Sequence, residues 1–384
     1  MAQTQEIQPE TAAAPLTLED VLSELAARRG EFHEQSYVPR DFIDRLKEVG
    51  VYRSSAPRMF GGEPMAPADF LEVVERISAV DGSTGWVAAF GSALTYLAAL
   101  PLETQAELYA GGPDVVFAGG LFPVQPVTPT ERGFIVDGRW KFASGCMGAD
   151  VLGVGIPSDD ASGGKPRSAL LLPEQVEIVQ DWDVAGMRAS GSFDLVVKEV
   201  EVAREWTFVR GGEPTVDEPL FRYPTIGYQA QVHAAVGLGV AQAALTFAQQ
   251  AGSRTGVTGA PPLAARAYYR TSYAESYAAL RSARAFYYEV AEEVWSSVVA
   301  GDEVLPEQHA RIRLSATHLA STAARIVADL CTISGTGTIA NQHPLQRLRR
   351  DAEVPQVHAF LGPSMYDAAG AVLLGQEPTV PGFM

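Results

Sequence analysis

The spacing of apolar residues changes twice along this chain of 384 residues. Over residues 15–112 apolar side chains recur at helical intervals, which predicts an N-terminal helical domain. Over 113–210 the interval shortens and turn residues become frequent, which predicts a middle β domain, either a sandwich or a barrel. Over 225–384 long alanine-rich stretches return to helical spacing, which predicts a bundle of four antiparallel helices. The chain therefore has the pattern of an α+β fold, preceded by a disordered tail over 1–14.

Short signals mark where several helices begin and end. Thr17 and Asp20 form the Thr-x-x-Asp pattern of a capping box, and Pro39 and Gly50 bracket a second helix. Residues 86–100 are apolar on nearly every side, so they predict one buried helix. The other helices are predicted over 66–79, 234–250, 264–300 and 305–335.

The β domain contains an Asp-Gly pair with strand-like residues on both sides. Asp137-Gly138 predicts the two-residue turn of a tight hairpin between strands over 134–136 and 139–144. The outgoing strand carries aromatic residues and then the small hydroxyl residue Ser144, which leaves room for a flat ligand with a polar edge. The other strands are predicted over 115–118, 151–156, 169–172, 176–180 and 193–202.

Composition excludes several classes of function. A formal charge of −17 argues against nucleic-acid binding, which needs a basic face. Two cysteines cannot build a disulfide framework or a zinc site of their own, so we expect a reducing, cytoplasmic setting. The six histidines show no metal-ligand spacing with the carboxylates, so no metal is predicted. The longest apolar runs are too short or too interrupted to span a bilayer, and no signal peptide is evident.

Common catalytic motifs are absent from the sequence. It contains no Gly-x-Ser-x-Gly elbow, phosphate-binding P-loop or His-Glu-x-x-His pattern, which disfavours hydrolases, nucleotide triphosphatases and zinc proteases. The glycine-rich run over 334–338 follows a helix, whereas a dinucleotide-binding fingerprint follows a strand.

Four motifs together give the chain a family resemblance. They are Trp-x-Phe-x-Ser-Gly over 140–145, Gly-Met-Arg-x-Ser-Gly-Ser over 186–192, Asp-Gly-Ser-x-x-Trp over 81–86 and Arg-x-x-Arg-Asp over 347–351. Together with the order of the three domains, these motifs resemble the acyl-CoA dehydrogenase superfamily over nearly the whole chain. The resemblance implies a flavin bound at the edge of the middle β domain.

The resemblance also implies which residues meet the flavin. It assigns contacts with the flavin edge to Phe142, Ser144, Ser190 and Ser192, and a contact from Trp86, for which core packing is the alternative. It assigns Arg254 to the flavin phosphate of a neighbouring subunit, although a loop arginine can equally be a solvated charge. It sets Gly335 and Thr336 against a partner subunit's flavin, with a plain helix C-cap as the alternative. The assembly so implied is a homotetramer.

Both positions at which dehydrogenases of this superfamily carry their catalytic base lack an acid. Aligned on Arg350-Asp351, one position falls on Ala359, and the other falls near Gln229. Neither side chain can remove the α-proton that dehydrogenation requires. The alternatives of a dehydrogenase with its base elsewhere, or a non-catalytic flavin-binding relative, stay open.

The chain then resembles the oxygenase components of two-component flavin-dependent monooxygenases, a group that includes p-hydroxyphenylacetate hydroxylase, dibenzothiophene monooxygenase and amino-sugar N-oxygenases. These take reduced flavin, FMNH2 or FADH2, from a separate NAD(P)H-dependent flavin reductase. With O2 the flavin forms a C4a-hydroperoxide, which transfers one oxygen atom to a small molecule. The resemblance implies an aromatic or natural-product substrate that is hydroxylated or oxygenated at nitrogen or sulfur.

Roles for individual residues follow from that resemblance. Ser144 is expected to bond flavin N5, and His358 to handle substrate protons because an ordinary histidine titrates near neutrality. The phenol hydroxylases of the group carry a histidine eight residues after the tryptophan that matches Trp86, whereas here Leu94 stands there. Either Tyr96 or His358 covers that role, or the substrate is not a simple phenol.

Overall fold

The computed structural model describes residues 15–159, 162, 164–254 and 259–383. The predicted disordered tail over 1–14 lies outside these residues. The first helix begins at the capping box predicted from Thr17 and Asp20: each backbone N–H is bonded by the other residue's side chain. The helices of the N-terminal region are α1 (Leu18–Gln35), α2 (Arg40–Glu48), α3 (Pro67–Val80), α4 (Gly82–Ala89), α5 (Leu94–Leu97) and α6 (Leu102–Leu108).

The single helix predicted over 86–100 is wrong. Helix α4 begins already at Gly82, capped by the side chain of Asp81. A 3-10 segment, Phe90–Ala93, separates α4 from α5. The Ser92 hydroxyl donates to the carbonyl of Ala89 (2.7 Å), so a side chain competes with the backbone for a helical acceptor at the break. The apolar pattern correctly indicated burial, but periodicity alone does not report where a buried helix breaks.

Two four-stranded sheets form the middle of the chain. One has the order β1–β4–β5–β8, with β1 and β4 parallel, and the other has the order β2–β3–β7–β6, which is antiparallel throughout. The strands are β1 (Phe117–Gly120), β2 (Val127–Pro129), β3 (Gly133–Ala143), β4 (Val151–Ile156), β5 (Arg167–Leu171), β6 (Glu177–Val179), β7 (Phe193–Ala203) and β8 (Thr207–Val209). The predictions missed β2 and β8, which are three residues each.

The hairpin predicted at Asp137-Gly138 is also wrong. Strand β3 runs without a turn through both residues and pairs along its length with β7. The register shifts between Val136 and Gly138, where β7 contributes one extra residue, Glu199, at φ 51°. The Asp137 carboxylate accepts a hydrogen bond from the Glu199 backbone N–H (3.2 Å). Asp-Gly therefore serves a β-bulge here, because a bulge and a tight turn favour the same residues.

The two sheets pack face to face around Trp140 of β3. Its side chain is fully buried, and its indole N–H donates to the carbonyl of Gly155 in β4 (2.8 Å). The surrounding core takes residues from both inner faces, including Leu195 of β7 and Ala169 of β5. This contact fixes β3, whose end carries Ser144, relative to the other sheet.

Helices follow the β domain to the end of the described chain. They are α7 (Pro219–Arg222), α8 (Thr225–Ala251), α9 (Ala267–Ala300), α10 (Pro306–Ile333), α11 (Pro344–Val357) and α12 (Ser364–Leu373). Helix α8 packs against α3, α4, α9, α10 and α11 and forms the axis of the helical core. By length and hydropathy α8 passes as a membrane span, contrary to the sequence-based expectation, but 78% of its most apolar window is buried inside the protein. Its apolar character is that of a core helix.

Close helix contacts at glycine fix α4 and α8 against α3. A Cβ atom at Gly239 of α8 would lie 2.2 Å from the Glu75 carbonyl, and one at Gly85 of α4 would lie 1.8 Å from the Ser78 hydroxyl. Both glycines thus allow a backbone approach that no side chain would permit. Gly85 directly precedes Trp86, so this contact also sets the position of the tryptophan.

Candidate active site

Three serine hydroxyls and one indole N–H meet in a buried chain of hydrogen bonds. Trp86 of α4 donates from Nε1 to Ser144 Oγ (3.1 Å), Ser144 Oγ lies 2.5 Å from Ser192 Oγ, and Ser192 Oγ lies 2.9 Å from Ser190 Oγ. All four side chains are at most 5% exposed. We call these four residues the hydroxyl cluster. It brings together four of the residues that the sequence assigned to the flavin.

Tight backbone turns hold the serines together. Gly145, at φ 76°, turns the chain after β3 and donates its N–H to the carbonyl of Ser190 (2.8 Å). Gly191, at φ 55°, turns the chain between Ser190 and Ser192, just before β7. These left-handed conformations suit glycine. The motifs over 140–145 and 186–192 thus meet where neighbouring strands β3 and β7 end and begin.

The hydroxyl cluster has one proton more than it can use internally. Its three hydroxyls carry three protons but form only two hydroxyl–hydroxyl contacts. If Ser190 donates to Ser192 and Ser192 donates to Ser144, Ser144 accepts twice, counting Trp86, and its own proton points to an outside acceptor. Ser144 therefore can act as an outward donor with its oxygen already held by two neighbours.

An open cleft of about 300 Å³ lies on the outer side of the hydroxyl cluster. Its lining includes Ser192 and two aromatic residues, Phe142 and Trp182, whose ring centres are 6.2 Å apart. The rest of the lining is mostly charged: Arg139, Lys141, Asp181, Asp183 and Asp194, with Val184. Phe142 is 57% exposed and adopts φ 64°, at a second bulge of β3. Exposed aromatic faces beside buried hydroxyls suit a planar heterocycle.

Two histidines contact the other side of the Trp86 ring. His233 of α8 and His358, directly after α11, are stacked with ring centres 4.9 Å apart. The Trp86 ring lies 4.4 Å from His233 and 5.5 Å from His358, edge to face. Phe90 and Phe360 complete the ring of aromatic contacts, at 5.7 Å from His233 and 5.1 Å from His358.

Both histidines are neutral at physiological pH. Burial lowers the pKa of His233 to about 4, and its Nδ1–H donates to the carbonyl of Gln229 (2.6 Å). Burial, together with His233 and the charges of Arg313 and Arg210, lowers the pKa of His358 to about 3. The reason that the sequence offered for His358, an ordinary pKa near neutrality, therefore does not hold in this site. A neutral imidazole can still donate and accept hydrogen bonds.

A buried ionic network supports the helix that carries Trp86. Asp81 accepts from Thr84 N–H (2.9 Å), from His33 Nε2 (2.7 Å) and from Arg347 Nη1 (3.1 Å). Burial alone would raise the pKa of Asp81, but His33 and Arg347 outweigh it and lower the pKa to about 2. Asp351 lies 3.7 Å from Arg347, and burial raises its pKa. This part of the Arg-x-x-Arg-Asp motif is structural.

Tyr96 lies away from the hydroxyl cluster. It stacks on Phe208 with ring centres 6.4 Å apart, and its buried hydroxyl has no hydrogen-bond partner among the described residues. Burial raises the pKa of Tyr96, and the charges of Arg210 and Arg313 act in the opposite direction. The same two arginines act on His358, so Tyr96 and His358 share charged neighbours.

The remaining predicted site residues form a separate group on the surface. Arg254 is exposed at the end of α8 and lies over the ring of Phe247 (5.4 Å), which in turn contacts His343. Gly335, at φ 87°, and Thr336 follow α10 and are exposed. Arg254 is thus not brought to the hydroxyl cluster of its own chain, and neither is the turn at 335–336.

Sequence reasoning missed two residues of this region, His233 and Arg313. Each is an imidazole or a guanidinium in a largely buried stretch of α8 or α10, at 3% exposure in both cases. A charged or imidazole side chain on the apolar face of a helix is the signal that could have found them.

No carboxylate contacts the aromatic side of the site in the described residues. The polar contacts of Trp86, His233 and His358 are to a serine hydroxyl, to the Gln229 carbonyl and to the Phe360 backbone N–H. Gln229 itself is buried and exchanges hydrogen bonds with Ser92, while Ala359 is exposed. No group of three or more potential metal ligands occurs within the described ranges.

Comparisons with known proteins define the class. Residues 17–109 match the model of the acyl-CoA dehydrogenase N-terminal domain, and residues 231–363 match that of the acyl-CoA dehydrogenase C-terminal domain. The chain is 49% identical over 360 residues to an indole-3-acetate monooxygenase of Pseudomonas putida, covering 93% of this chain and 92% of that protein. It is 28% identical over 365 residues to the oxygenase subunit HsaA of a flavin-dependent monooxygenase of Mycobacterium tuberculosis, covering 90% and 91%.

A solved structure agrees with these relatives. The crystal structure of 3-HSA hydroxylase from Rhodococcus sp. RHA1 superposes with a TM-score of 0.87 at 26% identity, covering 96% of this chain and 97% of that one. The fold is that of flavin-dependent monooxygenases. The chain belongs to the acyl-CoA dehydrogenase family, in the branch formed by these monooxygenases. The predicted fold, reaction class, and flavin and O2 as reactants are confirmed.

The residues present fit a flavin. The hydroxyl cluster has one unused hydroxyl proton, which lies on Ser144 when Ser192 donates to it, and the cleft beside Ser192 includes the exposed ring of Phe142. Ser144 suits a ring nitrogen as acceptor, and Phe142 suits contact with a ring face. These assignments remain predictions for the individual residues.

Proposed function

We propose that this chain oxygenates indole-3-acetate as the oxygenase component of a two-component system. The observation that carries the proposal is the 49% identity with an indole-3-acetate monooxygenase along nearly the full length of both chains. The site supports it, because the walls next to Trp86 are neutral rings that suit an aromatic substrate.

Reduced flavin, when bound, supplies two electrons to O2, so that one oxygen atom enters the substrate and the other leaves as water. Ser144 would hold the flavin ring by its hydroxyl, and Trp86 and Ser192 would keep that hydroxyl oriented. Phe142 would contact the outer part of the ring system. The stacked pair of buried His233 and half-buried His358, with its aromatic neighbours, would exclude water from the substrate side.

Leu94 is consistent with indole as the substrate ring. A phenol becomes a strong carbon nucleophile when a base removes its proton, which gives the phenol hydroxylases of the group a use for a histidine at this position. The pyrrole nitrogen of indole activates its ring carbons without loss of a proton. A fully buried leucine at position 94 is therefore no defect for this reaction.

His358 and Tyr96 would act as neutral hydrogen-bonding groups. The low pKa of His358 means that it is a neutral imidazole and not an imidazolium at neutral pH, so it would donate or accept a hydrogen bond without carrying a charge. Tyr96 would remain a neutral phenol, because burial raises its pKa.

The partner and assembly proposals rest on the resemblance and on the surface. A separate NAD(P)H-dependent flavin reductase would supply FMNH2 or FADH2, by diffusion alone. The exposed apolar residue Ile339 (81%), next to the turn at 335–336, and the exposed Arg254 support a homotetramer in which these residues meet a partner's flavin. Two free, buried cysteines suit a cytoplasmic setting.

The test uses chemically reduced flavin and isotopically labelled oxygen. The protein is mixed anaerobically with FMNH2 or FADH2 and then with ¹⁸O2 and indole-3-acetate, and the product is analysed by mass spectrometry. We expect one labelled oxygen atom in the product without any reductase. Unchanged indole-3-acetate, with a labelled dihydroxyphenylacetate formed in a parallel reaction with 4-hydroxyphenylacetate, would contradict the proposed substrate. Light scattering should give four times the chain mass of 41.0 kDa, and any other mass contradicts the tetramer.

A further inference from the structure

Arg313 on α10 is a buried cation without a carboxylate partner in the described structure. Its side chain is 3% exposed, and its Nε and Nη1 atoms have no hydrogen-bond partner. The remaining nitrogen, Nη2, contacts the thioether sulfur of Met365 (2.7 Å). The guanidinium carbon lies 5.7 Å from the ring centre of Phe360 and 5.3 Å from that of Phe383.

This environment is costly for a charge. Burial lowers the pKa of Arg313 to about 10, so the group is still a cation at neutral pH. Aromatic faces and a thioether stabilise it only weakly compared with a charged hydrogen-bond acceptor. Buried charges in proteins are normally paired, because an unpaired one loses its hydration without compensation. A carboxylate is the group that arginine binds with the best geometry.

A second buried donor lies near Arg313. The Tyr96 hydroxyl is also buried and has no partner among the described residues, and the charge of Arg313 acts on it. The half-buried Arg210 acts on the same hydroxyl and on His358. Two buried donors without partners in the described ranges and a further positive charge thus influence one another, and each of them favours an anion.

The region connects to the reacting side of the site through aromatic contacts. Phe360 lies between Arg313 and His358, at 5.7 Å from the guanidinium carbon and 5.1 Å from the imidazole. His358 in turn contacts Trp86, which bonds Ser144. A ligand with its aromatic ring against Phe360 and His358 and a short acidic side chain directed to Arg313 would fit this arrangement of contacts.

We propose that Arg313, assisted by the Tyr96 hydroxyl, is the receptor for the carboxylate of an arylacetate substrate. This inference rests on the proposed function and deepens it, because it assigns recognition of the acid group to named residues. The site then selects for an acid over a neutral analogue of the same shape. Arg313 would be a specificity-determining residue.

The experiment compares indole-3-acetate with indole-3-acetamide, which replaces the carboxylate by a neutral amide of nearly the same size. Binding to the flavin-free protein is measured by calorimetry, and KM and kcat are measured with reduced flavin. The wild-type protein should bind the acid roughly 30- to 100-fold more tightly than the amide. Arg313→Met should remove that preference while changing amide affinity by less than about threefold, and Arg313→Lys should keep part of it.

The matched control is Arg311→Met, two residues along the same helix. Arg311 pairs with Glu293 near the surface (2.7 Å), so its loss should leave the preference for the acid unchanged. Thermal unfolding without ligand checks the fold of each variant. Arg313→Met should be at least as stable as the wild type, because it removes an uncompensated buried charge. Marked destabilisation would show that Arg313 already pairs with an acid of the chain, and would overturn the proposal.

Two further outcomes separate this inference from the proposed function. If indole-3-acetate is oxygenated but Arg313→Met keeps the preference for acid over amide, the receptor assignment is wrong and the function stands. If indole-3-acetate is not oxygenated but phenylacetate or 4-hydroxyphenylacetate binds through Arg313 more tightly than its amide, the receptor stands and the substrate is wrong. If the wild type binds none of these acids better than its amide, the receptor is overturned.

Discussion

Replacing Asp81 by asparagine should destabilise the protein most at neutral pH and less as the pH falls. Asp81 is completely buried and accepts hydrogen bonds from His33, Arg347 and the first turn of α4. An asparagine has nearly the same shape, and its oxygen can still cap the helix. Its NH2 group then replaces the oxygen that accepts from His33 and Arg347, so the substitution removes the charge together with these two hydrogen bonds.

The magnitude follows from the pKa of Asp81. Its fall from an ordinary 3.8 to about 2 corresponds to about 2 kcal/mol, at about 1.4 kcal/mol per pKa unit. The folded pKa lies below the unfolded one, so the unfolded chain takes up the proton first on acidification. The contribution is complete well above pH 3.8, falls to about 1 kcal/mol near pH 3, and is lost below pH 2. The pKa of Asp351 is raised by burial, so its contribution to the free energy of unfolding increases as the pH falls.

Urea unfolding followed by tryptophan fluorescence, at intervals from pH 7 to pH 3, measures this effect. Asp81→Asn should unfold with a free energy about 2 kcal/mol below the wild type at pH 7, and the gap should narrow towards pH 3. The control is Asp44→Asn, which breaks an exposed pair with Arg40 (3.1 Å) and should cost less than about 0.5 kcal/mol. A gap that is absent at pH 7, or that widens on acidification, would refute the reasoning.

Three further changes test the site. Ser144→Ala should lower the product formed per reduced flavin oxidised by about tenfold or more, because it removes the outward donor. It should also lower the free energy of unfolding by about 1–3 kcal/mol, because the Trp86 N–H loses its acceptor. Ser190→Ala, at the other end of the hydroxyl cluster, should affect product yield much less, and equal losses would contradict the role of Ser144. The pH profile of kcat/KM between pH 6 and pH 8 should have the same shape in the wild type and in His358→Gln, since the pKa of His358 is about 3. A step near pH 6.5 that is present in the wild type and absent in the variant would contradict this prediction. Arg254→Gln should raise the flavin Kd in a fluorescence titration by about fivefold or more without changing the KM for indole-3-acetate; an unchanged Kd would make Arg254 a solvated charge.

Local signals in the sequence were reliable where the structure they specify is local. The capping box at Thr17 and Asp20 needs only residues three positions apart, and it forms as predicted. Asp137-Gly138 is equally local, yet it was misread, because a hairpin turn and a bulge require similar backbone angles. What decides between them is the pairing of β3 with β7, which begins some fifty residues later in the chain.

The site was predictable only in part for the same reason. Motif resemblance grouped Ser144, Ser190 and Ser192, and these residues do share a hydrogen-bond chain. His233 and Arg313 belong to no motif, and each enters the site through the packing of a long helix against distant elements. Their spacing along the sequence contains no information about which partner they meet.

The distribution of charge around Trp86 decides which reaction this fold can support. A dehydrogenase needs a carboxylate that accepts a proton next to the flavin, but the two family positions hold an amide, Gln229, and an exposed methyl group, Ala359. The neighbouring histidines are poor bases, since their pKa values are about 4 and about 3. The full charges that act on His358, on Arg313 and Arg210, are positive, and they favour binding an anion rather than removing a proton. Such a site suits oxygen transfer to a ring that is already electron-rich, and it does not suit α-proton abstraction.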